Sequence, residues 1–335
     1  MRTKAIIIAV WCLTASLIVL GQERGGGPPQ PVSTADVDAP AVPGVFAAGT
    51  KAKVVYQWAA GLGAEGPVSL PDGSAVFTQT TAKKIVKVDN NNVGTVLVDV
   101  APGTVFGLAY DPKNGVVATF RGNPNGVVAL WPMRKTLADN FDGKRFDRPN
   151  DIVADGKGGI YFSDNSGIRG KEGPAPGSAP PGVYHIGADG KVILAWEGKP
   201  DCPPSCTGIQ RPNGVQLSPD RKTFYIATGG AARWVYAFDI QPDGRFRNPR
   251  EFADLGEMGG ADGMVMDAKG RLYVAAATRL MVFDSKGKPL GTVTFPQRIA
   301  NLTFAGPDHK TLFIVSNQVA YKLPVLTAGV NGRQK

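Results

Sequence analysis

The chain has 335 residues, of which 43% are hydrophobic, and it carries a formal net charge of +9. Its basic residues are scattered and do not alternate with aromatic residues, so the charge indicates a solvated basic surface and no nucleic-acid partner. The 43 glycines and 27 prolines favour many short strands and turns, and no helical apolar period extends through the region after residue 50, which argues against a helical fold.

The N-terminus is predicted to be a secretory signal peptide over residues 1–21. A basic segment, MRTK, precedes the apolar segment AIIIAVWCLTASLIVL, and small or β-branched residues stand before Gln22. An uncleaved anchor helix is the alternative, but the apolar run is shorter than the roughly 20 residues that a spanning helix needs. We therefore expect an exported protein, periplasmic or secreted, without stable membrane insertion after cleavage.

The region after the signal peptide, residues 22–50, is rich in Gly, Pro and Ala and has little apolar surface to bury, which predicts a mobile linker. Further along, Cys202 and Cys206 lie four residues apart in the segment DCPPSCTG. Neither histidine is near them, so an oxidising compartment favours a local disulfide over a metal site.

A strand–turn–strand unit with an aspartate in its turn recurs six times after residue 50. The turn aspartates are Asp72, Asp111, Asp155, Asp220, Asp267 and Asp308, which stand 39, 44, 65, 47 and 41 residues apart. All but one of these spacings lie near the period of about 40 to 50 residues that is typical of propeller blades. A second hairpin follows several units, which gives four strands per period.

These repeats predict an all-β fold, a six-bladed β-propeller with four-stranded antiparallel blades around a central channel. The propeller is expected over residues 51–325, followed by a flexible tail over residues 326–335. Two separate β-sandwiches are the alternative, but that arrangement does not account for six matched units.

The residue at the start of the first strand of each unit is expected to face the central channel, because the innermost strands of a propeller line it. In chain order these residues are Glu65, Phe106, Asn150, Asn213, Asp262 and Asn301. Five of the six carry side-chain oxygens, and glycine after several of them would relieve crowding between blades. The repeats therefore predict a ring of oxygen-bearing side chains at one height of the channel.

Two carboxylates in a narrow channel repel each other unless a cation lies between them. Glu65 and Asp262 with the amide oxygens of Asn150 and Asn213 form an oxygen-only set, which suits Ca²⁺ best, then Mg²⁺ or Mn²⁺, and Zn²⁺ poorly. A structural ring of asparagines that hydrogen-bond the strand ends is the main alternative.

Several long segments resemble the SMP-30/gluconolactonase/LRE-like family in the order and at the spacing of the blades. They are LADNFDGKRFDRPNDIVADGKGGIYFSDNSG, RPNGVQLSPDRKTFYIA, GGADGMVMDAKGRLYVA and ANLTFAGPDHKTLFIVS. The resemblance covers about residues 53 to 323. It implies a six-bladed propeller that holds a divalent metal on its axis and often hydrolyses sugar lactones.

Position by position, the resemblance implies metal-binding roles for Glu65, Asn150, Asn213 and Asp262. It also implies that Arg148, two residues before Asn150, reaches substrate oxygens. The chain departs from the family in the second blade. Phe106-Gly107 stands where members often have Asn-Gly, and Phe120-Arg121 stands where they often have Glu-His. The residues assigned to substrate binding are Arg148, Asn150, Arg121, Phe106 and Asn301.

The predicted function is that of an exported, divalent-metal-dependent lactonase with a small-molecule lactone, preferably a sugar lactone, as its substrate. The metal would polarise the ester carbonyl, and Asp262 would position or deprotonate the attacking water. The alternative function is that of a non-catalytic sugar-binding or scaffold propeller in which the metal only braces the channel.

Overall fold

The structure is a computed structural model that describes residues 33–165, 175–198, 212–229, 232–257 and 259–330. Every regular element within these ranges is a β-strand. Within the same ranges, no helix has the length and hydropathy needed to cross a membrane. The predicted signal peptide and the predicted disulfide between Cys202 and Cys206 lie outside the described residues.

The first half of the described chain forms three blades. Two strands precede them, β1 (Val37–Asp38) and β2 (Lys51–Gln57). Blade 1 contains β3 (Glu65–Ser69), β4 (Ala75–Gln79), β5 (Lys84–Val88) and β6 (Gly94–Asp99). Blade 2 contains β7 (Thr104–Asp111), β8 (Gly115–Arg121), β9 (Gly126–Trp131) and β10 (Lys135–Ala138). A hairpin of β11 (Asn140–Phe141) and β12 (Lys144–Arg145) leads to blade 3, which contains β13 (Pro149–Ala154), β14 (Ile160–Asp164), β15 (Gly182–Ile186) and β16 (Val192–Glu197).

The second half forms the other three blades. Blade 4 contains β17 (Pro212–Leu217), β18 (Thr223–Thr228), β19 (Trp234–Ile240) and β20 (Phe246–Asp254). Blade 5 contains β21 (Ala261–Met266), β22 (Leu272–Ala276), β23 (Arg279–Phe283) and β24 (Pro289–Thr294), and blade 6 begins with β25 (Ile299–Ala305), β26 (Thr311–Ser316) and β27 (Val319–Pro324). In blades 1 to 5 consecutive strands pair antiparallel in chain order. The predicted six-bladed propeller is confirmed.

Blade 6 is completed by a strand from the other end of the chain. Strand β2 pairs antiparallel with β27, with Lys53 opposite Lys322 and Gln57 opposite Val319, and β1 adds a short fifth strand. Trp58, just after β2, also donates a hydrogen bond from its indole Nε1 to the carbonyl of Asn317 at 3.1 Å. The ring of blades is therefore closed by hydrogen bonds between its N-terminal and C-terminal segments.

The core consists of six hydrophobic clusters, and each cluster joins two adjacent blades. Val68 of blade 1 and Leu108 of blade 2 belong to one of them, and Phe77 of blade 1 packs near Phe313 of blade 6 with ring centroids 6.1 Å apart. Because both faces of a blade lie against a neighbour, the second strands β4, β14 and β22 are buried along their whole length.

Residues 33–50 and 326–330 pack on the propeller, although composition assigns them to the linker and to the tail. Val45 and Phe46 are buried in the cluster between blades 5 and 6. The backbone N–H of Leu326 donates to the carbonyl of Val45 at 2.9 Å, so the two terminal segments also bind each other. Composition missed this packing because Gly, Pro and Ala dominate the segment, whereas a few larger apolar side chains, Val42, Val45 and Phe46, are enough to hold it on the propeller.

Candidate functional site

The first strand of each blade lies beside the first strands of the two adjacent blades, so these six inner strands surround the axis. Each inner strand carries a β-bulge near its start. The register shifts fall at Glu65/Val68, Val105/Leu108, Pro149/Ile152, Pro212/Val215, Ala261/Met264 and Ile299/Asn301. A bulge turns a residue out of the regular pairing and re-aims its side chain. The residues predicted to face the channel therefore stand at or beside these bulges.

Glycines at the bulges allow adjacent blades to approach each other closely. A Cβ atom added to Gly214 would lie 2.0 Å from the carbonyl oxygen of Asp262 in the next blade. A Cβ atom on Gly66, which has a φ of +41°, would lie 2.2 Å from the carbonyl oxygen of Phe106. These positions therefore need glycine for close backbone contact, as the sequence predicts.

Three predicted site residues from three successive blades form a hydrogen-bonded series. Asn150 in blade 3 donates from its side-chain Nδ2 to Oδ1 of Asn213 in blade 4. Asn213 in turn donates from Nδ2 to Oδ1 of Asp262 in blade 5 at 2.9 Å. The structure thus brings together residues that are far apart in the sequence, as the repeats predict.

Glu65 lies within electrostatic reach of this series. Burial raises the pKa of the Glu65 carboxyl well above its ordinary range, and the negative charge of Asp262 raises it further. The positive charge of Arg298 acts in the opposite direction on the same pKa. Ionising both Glu65 and Asp262 therefore costs free energy unless a cation lies beside them.

Arg298 is a site residue that the sequence reasoning missed. Its guanidinium donates from one terminal nitrogen to Oδ2 of Asp262, and 47% of its side chain is exposed. Its carbonyl accepts a hydrogen bond from the hydroxyl of Ser316 at 2.7 Å, which fixes its backbone. Arg298 stands two residues before Ala300, as Arg148 stands two residues before Asn150, and this repeated spacing was the available signal.

The predicted equivalence of Asn301 with the other ring residues is wrong by one position. Asn150, Asn213 and Asp262 each directly follow the last residue that pairs before a bulge, whereas Asn301 stands two residues after Ile299 and itself pairs with Val315. Glu65 departs in the other direction, because it is itself the last residue that pairs before the bulge of blade 1, opposite Thr78. Asn301 is buried, and its side-chain Oδ1 accepts the backbone N–H of Leu302 at 2.9 Å. The amide oxygen of Asn301 is therefore engaged by its own strand, and Ala300 takes the ring position in blade 6.

Blade 2 brings two predicted substrate residues against Asn150. The guanidinium carbon of Arg121 lies 3.7 Å from the centroid of the Phe106 ring, which is a close cation–π contact. Arg121 also donates to Oδ1 of Asn150 at 3.2 Å and to the carbonyl of Pro149 at 2.9 Å. Phe106 and Arg121 therefore form one rigid unit at the side of the ring.

Arg148 is anchored by its backbone and leaves its side chain available. Its backbone N–H donates to Oδ1 of the buried Asp164 at 2.9 Å, and its carbonyl accepts from the N–H of Asn165 at 3.1 Å. Its guanidinium makes no hydrogen bond or ion pair with another residue in the part of the chain that the structure describes. Arg211, the matching residue of blade 4, lies outside that part.

The donor set of the ring fits a hard divalent cation. It contains the carboxylates of Glu65 and Asp262 and the amide oxygens of Asn150 and Asn213, which are the ligand types of Ca²⁺ sites. The two amide oxygens accept hydrogen bonds from Arg121 and from Asn150 in this structure, and a cation would replace those hydrogen bonds. The described ranges contain no group of three His, Cys, Asp or Glu side chains that could hold a metal ion, and the ring combines two carboxylates with two amides. A cation at the ring would also offset the effects of burial and of the charge of Asp262, which raise the pKa of Glu65.

The chain matches the sequence model of one protein family and several named proteins. The family model, described as SMP-30/Gluconolactonase/LRE-like region, matches residues 63–318. The chain is 31% identical over 215 residues to a gluconolactonase of Zymomonas mobilis, which covers 61% of this chain and 57% of that protein. It is 26% identical over 246 residues to pentonolactonase XacC of Haloferax volcanii, which covers 65% of this chain and 76% of that protein. It is 32% identical over 155 residues to lactonase drp35 of Staphylococcus saprophyticus, which covers 44% of this chain and 42% of that protein.

Solved structures share the architecture over most of their length. The fold is similar to that of XC5397, a gluconolactonase from Xanthomonas campestris, with a TM-score of 0.74 and 25% identity over 89% of this chain and 99% of that one. It is also similar to regucalcin, a calcium-binding protein from Agrobacterium tumefaciens, with a TM-score of 0.65 and 19% identity over 84% of this chain and 95% of that one. The second likeness is one of fold alone.

Proposed function

The chain belongs to the SMP-30/Gluconolactonase/LRE-like family, and from this premise we propose that it is a lactone hydrolase that opens the ester ring of a sugar lactone. The relatives named gluconolactonase, pentonolactonase and lactonase support this activity. The observation that carries the proposal is the hydrogen-bonded series Asn150, Asn213 and Asp262 beside Glu65. It gathers side-chain oxygen atoms that can bind a metal ion near the axis.

Glu65, Asn150, Asn213 and Asp262 would hold a divalent cation, preferably Ca²⁺, whose chemistry in such enzymes is Lewis-acid polarisation of the ester carbonyl. The description of the structural neighbour regucalcin as a calcium-binding protein supports the choice of Ca²⁺. The oxygen-only donor set supports it independently.

Asp262 is the residue proposed to handle the attacking water. Its two carboxylate oxygens accept hydrogen bonds from Asn213 and from Arg298, so the carboxylate is held in one orientation. The water would lose a proton toward Asp262 as its oxygen bonds to the carbonyl carbon, and the proton would then go to the ring oxygen that leaves as a hydroxyl. The same hydrogen bonds weaken Asp262 as a base, so orientation of the water is its main contribution.

Three residues beside the series are proposed to bind the substrate. Arg148 has a guanidinium that can donate to hydroxyl or carbonyl oxygens, and Arg121 is held rigidly over Phe106 beside Asn150. Phe106 presents an apolar ring where family members often have asparagine. An apolar wall favours contact with the carbon face of the lactone ring over an additional hydrogen bond to one of its hydroxyls.

The ion pair between Arg298 and Asp262 favours a second candidate function, a non-catalytic sugar-binding or scaffold propeller. In that case the polar ring would only brace the inner strands, since Arg298 already supplies positive charge at Asp262. The two functions differ in what Asp262→Asn does. A scaffold loses only thermal stability, whereas an enzyme loses activity beyond any loss of folding.

The test is an assay of the purified protein on gluconolactone and on a pentonolactone, after chelator treatment and again after addition of Ca²⁺. We expect ring opening to be lost in chelator and restored by Ca²⁺. Asp262→Asn should lower kcat/KM about a hundredfold or more, and Asp254→Asn, which alters an exposed carboxylate paired with Arg233, serves as the matched control. Full activity in the metal-free protein would remove the cation from the mechanism, and inactivity on every lactone would contradict the hydrolase.

Export to the periplasm or the medium is also proposed, on the basis of the N-terminal sequence. Its test is cell fractionation with N-terminal sequencing of the purified protein. We expect a mature N-terminus at about Gln22 in an exported fraction. A full-length chain confined to the cytoplasm would contradict export.

A further inference from the structure

The hydroxyl of Thr119, on the second strand of blade 2, connects two inner strands. Its Oγ1 accepts the backbone N–H of Gly107, the residue after Phe106 in the bulge of its own blade, at 2.9 Å. The same hydroxyl donates to the carbonyl oxygen of Asn150 in blade 3 at 2.5 Å. Thr119 is completely buried. One hydroxyl therefore joins the bulge of one blade to the site residue of the next.

Ser163, on the second strand of blade 3, makes the same pair of bonds one blade further along. Its Oγ accepts the backbone N–H of Asp151, the residue after Asn150, at 3.0 Å. It donates to the carbonyl oxygen of Asn213 in blade 4 at 2.8 Å. Ser163 is also completely buried. The two hydroxyls thus connect Phe106, Asn150 and Asn213 in one continuous backbone series.

A hydroxyl suits this position because it has one proton to donate and lone pairs that accept. Each of the two hydroxyls accepts a backbone N–H from its own blade and donates its shorter hydrogen bond to a carbonyl oxygen of the next blade. Both bonds end on backbone atoms at a bulge, where the regular ladder leaves a donor and an acceptor without strand partners. The hydroxyl therefore fixes the backbone from which the next asparagine side chain projects.

The distribution of this feature around the propeller is uneven. The position on the second strand that lies between the paired residues flanking the bulge is occupied by Thr119 and Ser163 in blades 2 and 3. In blades 1, 4 and 5 it is occupied by apolar residues, Phe77, Ala227 and Ala275. In blade 6 no second-strand residue lies between the two flanking pairs, Ile299 with Ser316 and Asn301 with Val315. Blade packing therefore does not require a hydroxyl there. Blade 1 contacts its neighbour through the next residue of its second strand, Thr78, whose hydroxyl lies 3.1 Å from the carbonyl oxygen of Glu65 and 3.2 Å from that of Phe106. Thr119 and Ser163 each accept a backbone N–H from their own blade, and the residues that they reach in the next blade are the two asparagines of the site.

The two asparagines depend on a fixed backbone for a chemical reason. An asparagine side chain has an oxygen end and a nitrogen end, so its orientation decides whether it offers an acceptor or a donor. A carboxylate such as that of Asp262 offers two equivalent oxygens, and Arg298 and Asn213 already hold it. The two asparagines are therefore the ring residues that gain most from a fixed backbone.

We propose that Thr119 and Ser163 are positioning residues, whose hydroxyls orient Asn150 and Asn213 for cation binding and catalysis. The inference rests on the proposed function, because it assumes that the ring residues bind the cation and the substrate. Neither hydroxyl contacts substrate in this role. Each acts through the backbone of the asparagine in the next blade.

Thr119→Val removes the hydroxyl and keeps the shape of the side chain, and Thr119→Ser keeps the hydroxyl. Thr303→Val is the matched control, because Thr303 is equally buried but, among the residues that the structure describes, its hydroxyl donates to the neighbouring carbonyl of Phe304 alone, at 3.5 Å. Calorimetric Ca²⁺ affinity, kcat/KM on the active lactone and the melting temperature are measured for each variant. We expect Thr119→Val to lose about tenfold or more in both affinity and kcat/KM, Thr119→Ser to retain both, and Thr303→Val to lower only the melting temperature.

Wild-type Ca²⁺ affinity and kcat/KM in Thr119→Val would overturn the proposal. Losses in Thr303→Val as large as those in Thr119→Val would overturn it too, because they would show that stability alone is responsible. Crystal structures of Thr119→Val and Thr119→Ser keep the test separate from the proposed function. A displaced Asn150 side chain in the valine variant alone supports positioning even if no lactone is opened, and an undisplaced one contradicts it.

Discussion

The guanidinium of Arg298, just before blade 6, donates a hydrogen bond to Oδ2 of Asp262 in blade 5. Asp262 is otherwise held by Asn213, so one carboxylate is shared between an amide donor and a cationic donor. A divalent cation bound at the same carboxylate would experience the positive charge of Arg298. The ion pair therefore stabilises the ring without metal and opposes metal binding.

Arg298→Gln should bind Ca²⁺ about threefold or more tightly than the wild type, because a unit charge near the cation is removed. Titration calorimetry at low and at moderate salt measures the change, and the gain should shrink as salt screens the charge. Arg233→Gln removes another arginine–aspartate pair, with Asp254, on an exposed surface, and it should leave the affinity unchanged. Weaker Ca²⁺ binding by Arg298→Gln would show that Arg298 supports the site.

Glu65 should make the stability of the metal-free protein depend on pH. Its pKa is raised well above the ordinary value of 4.5, by burial first and by the charge of Asp262 second. The folded protein therefore keeps a proton on Glu65 at pH values where the unfolded chain has lost it. Stability from this group is fully present below the unfolded pKa and is lost as the pH rises through the folded pKa.

Urea denaturation in chelator at a series of pH values measures this dependence. The free energy of unfolding should fall as the pH rises above about 4.5 and level off above the raised pKa. Glu65→Gln should remove this decline, whereas Glu251→Gln, at an exposed position on β20, should retain it. An unchanged decline in Glu65→Gln would assign the pH dependence to other groups.

Ala52 tests the closure of the propeller by β2. Its side chain is completely buried in the cluster between blades 5 and 6, so an aspartate there would lose its hydration without a partner. Ala52→Asp should lower the free energy of unfolding by about 3 kcal/mol or more. Lys53→Asp, at the exposed adjacent position of the same strand, should change it by less than about 1 kcal/mol. Equal effects in urea denaturation would contradict a structural role for β2.

Gly214→Ala should disturb the contact between blades 4 and 5. The added Cβ would lie 2.0 Å from the carbonyl oxygen of Asp262, so the two inner strands must separate. We expect a loss of about 1 to 3 kcal/mol in stability, together with weaker Ca²⁺ binding. Gly229→Ala is the control for stability, because among the described residues its Cβ would meet nothing closer than Nδ2 of Asn213, at 3.5 Å. Wild-type behaviour of Gly214→Ala in calorimetry and denaturation would show that the blades can separate without cost.

The repeats in the sequence were sufficient to predict the number of blades and most of the ring. Turn residues and the alternation of apolar and polar side chains are local signals. Six copies of one four-stranded unit then predict one closed arrangement, a ring of six blades. Equivalent residues then lie at one height of the axis by symmetry. Asn150, Asn213 and Asp262 therefore meet as predicted, and burial first and the charge of Asp262 second raise the pKa of Glu65.

Tertiary structure alone decided the features that depend on register and on distant pairing. A bulge shifts the count by one residue, which is why Ala300 and not Asn301 takes the ring position in blade 6. Only the folded chain shows that Arg298 reaches Asp262, because the guanidinium is long and crosses from one blade to the next.

The sequence by itself determined the architecture, because each blade is specified by signals within about 40 to 50 residues of chain. Tertiary structure decided which strand completes blade 6. Strands β2 and β27 lie at opposite ends of the described chain, and the sequence of neither strand indicates that the two pair with each other. Tertiary structure also decided how the ring is held, through the hydroxyls of Thr119 and Ser163, because a buried serine or threonine gains its role only from the backbone atoms that surround it.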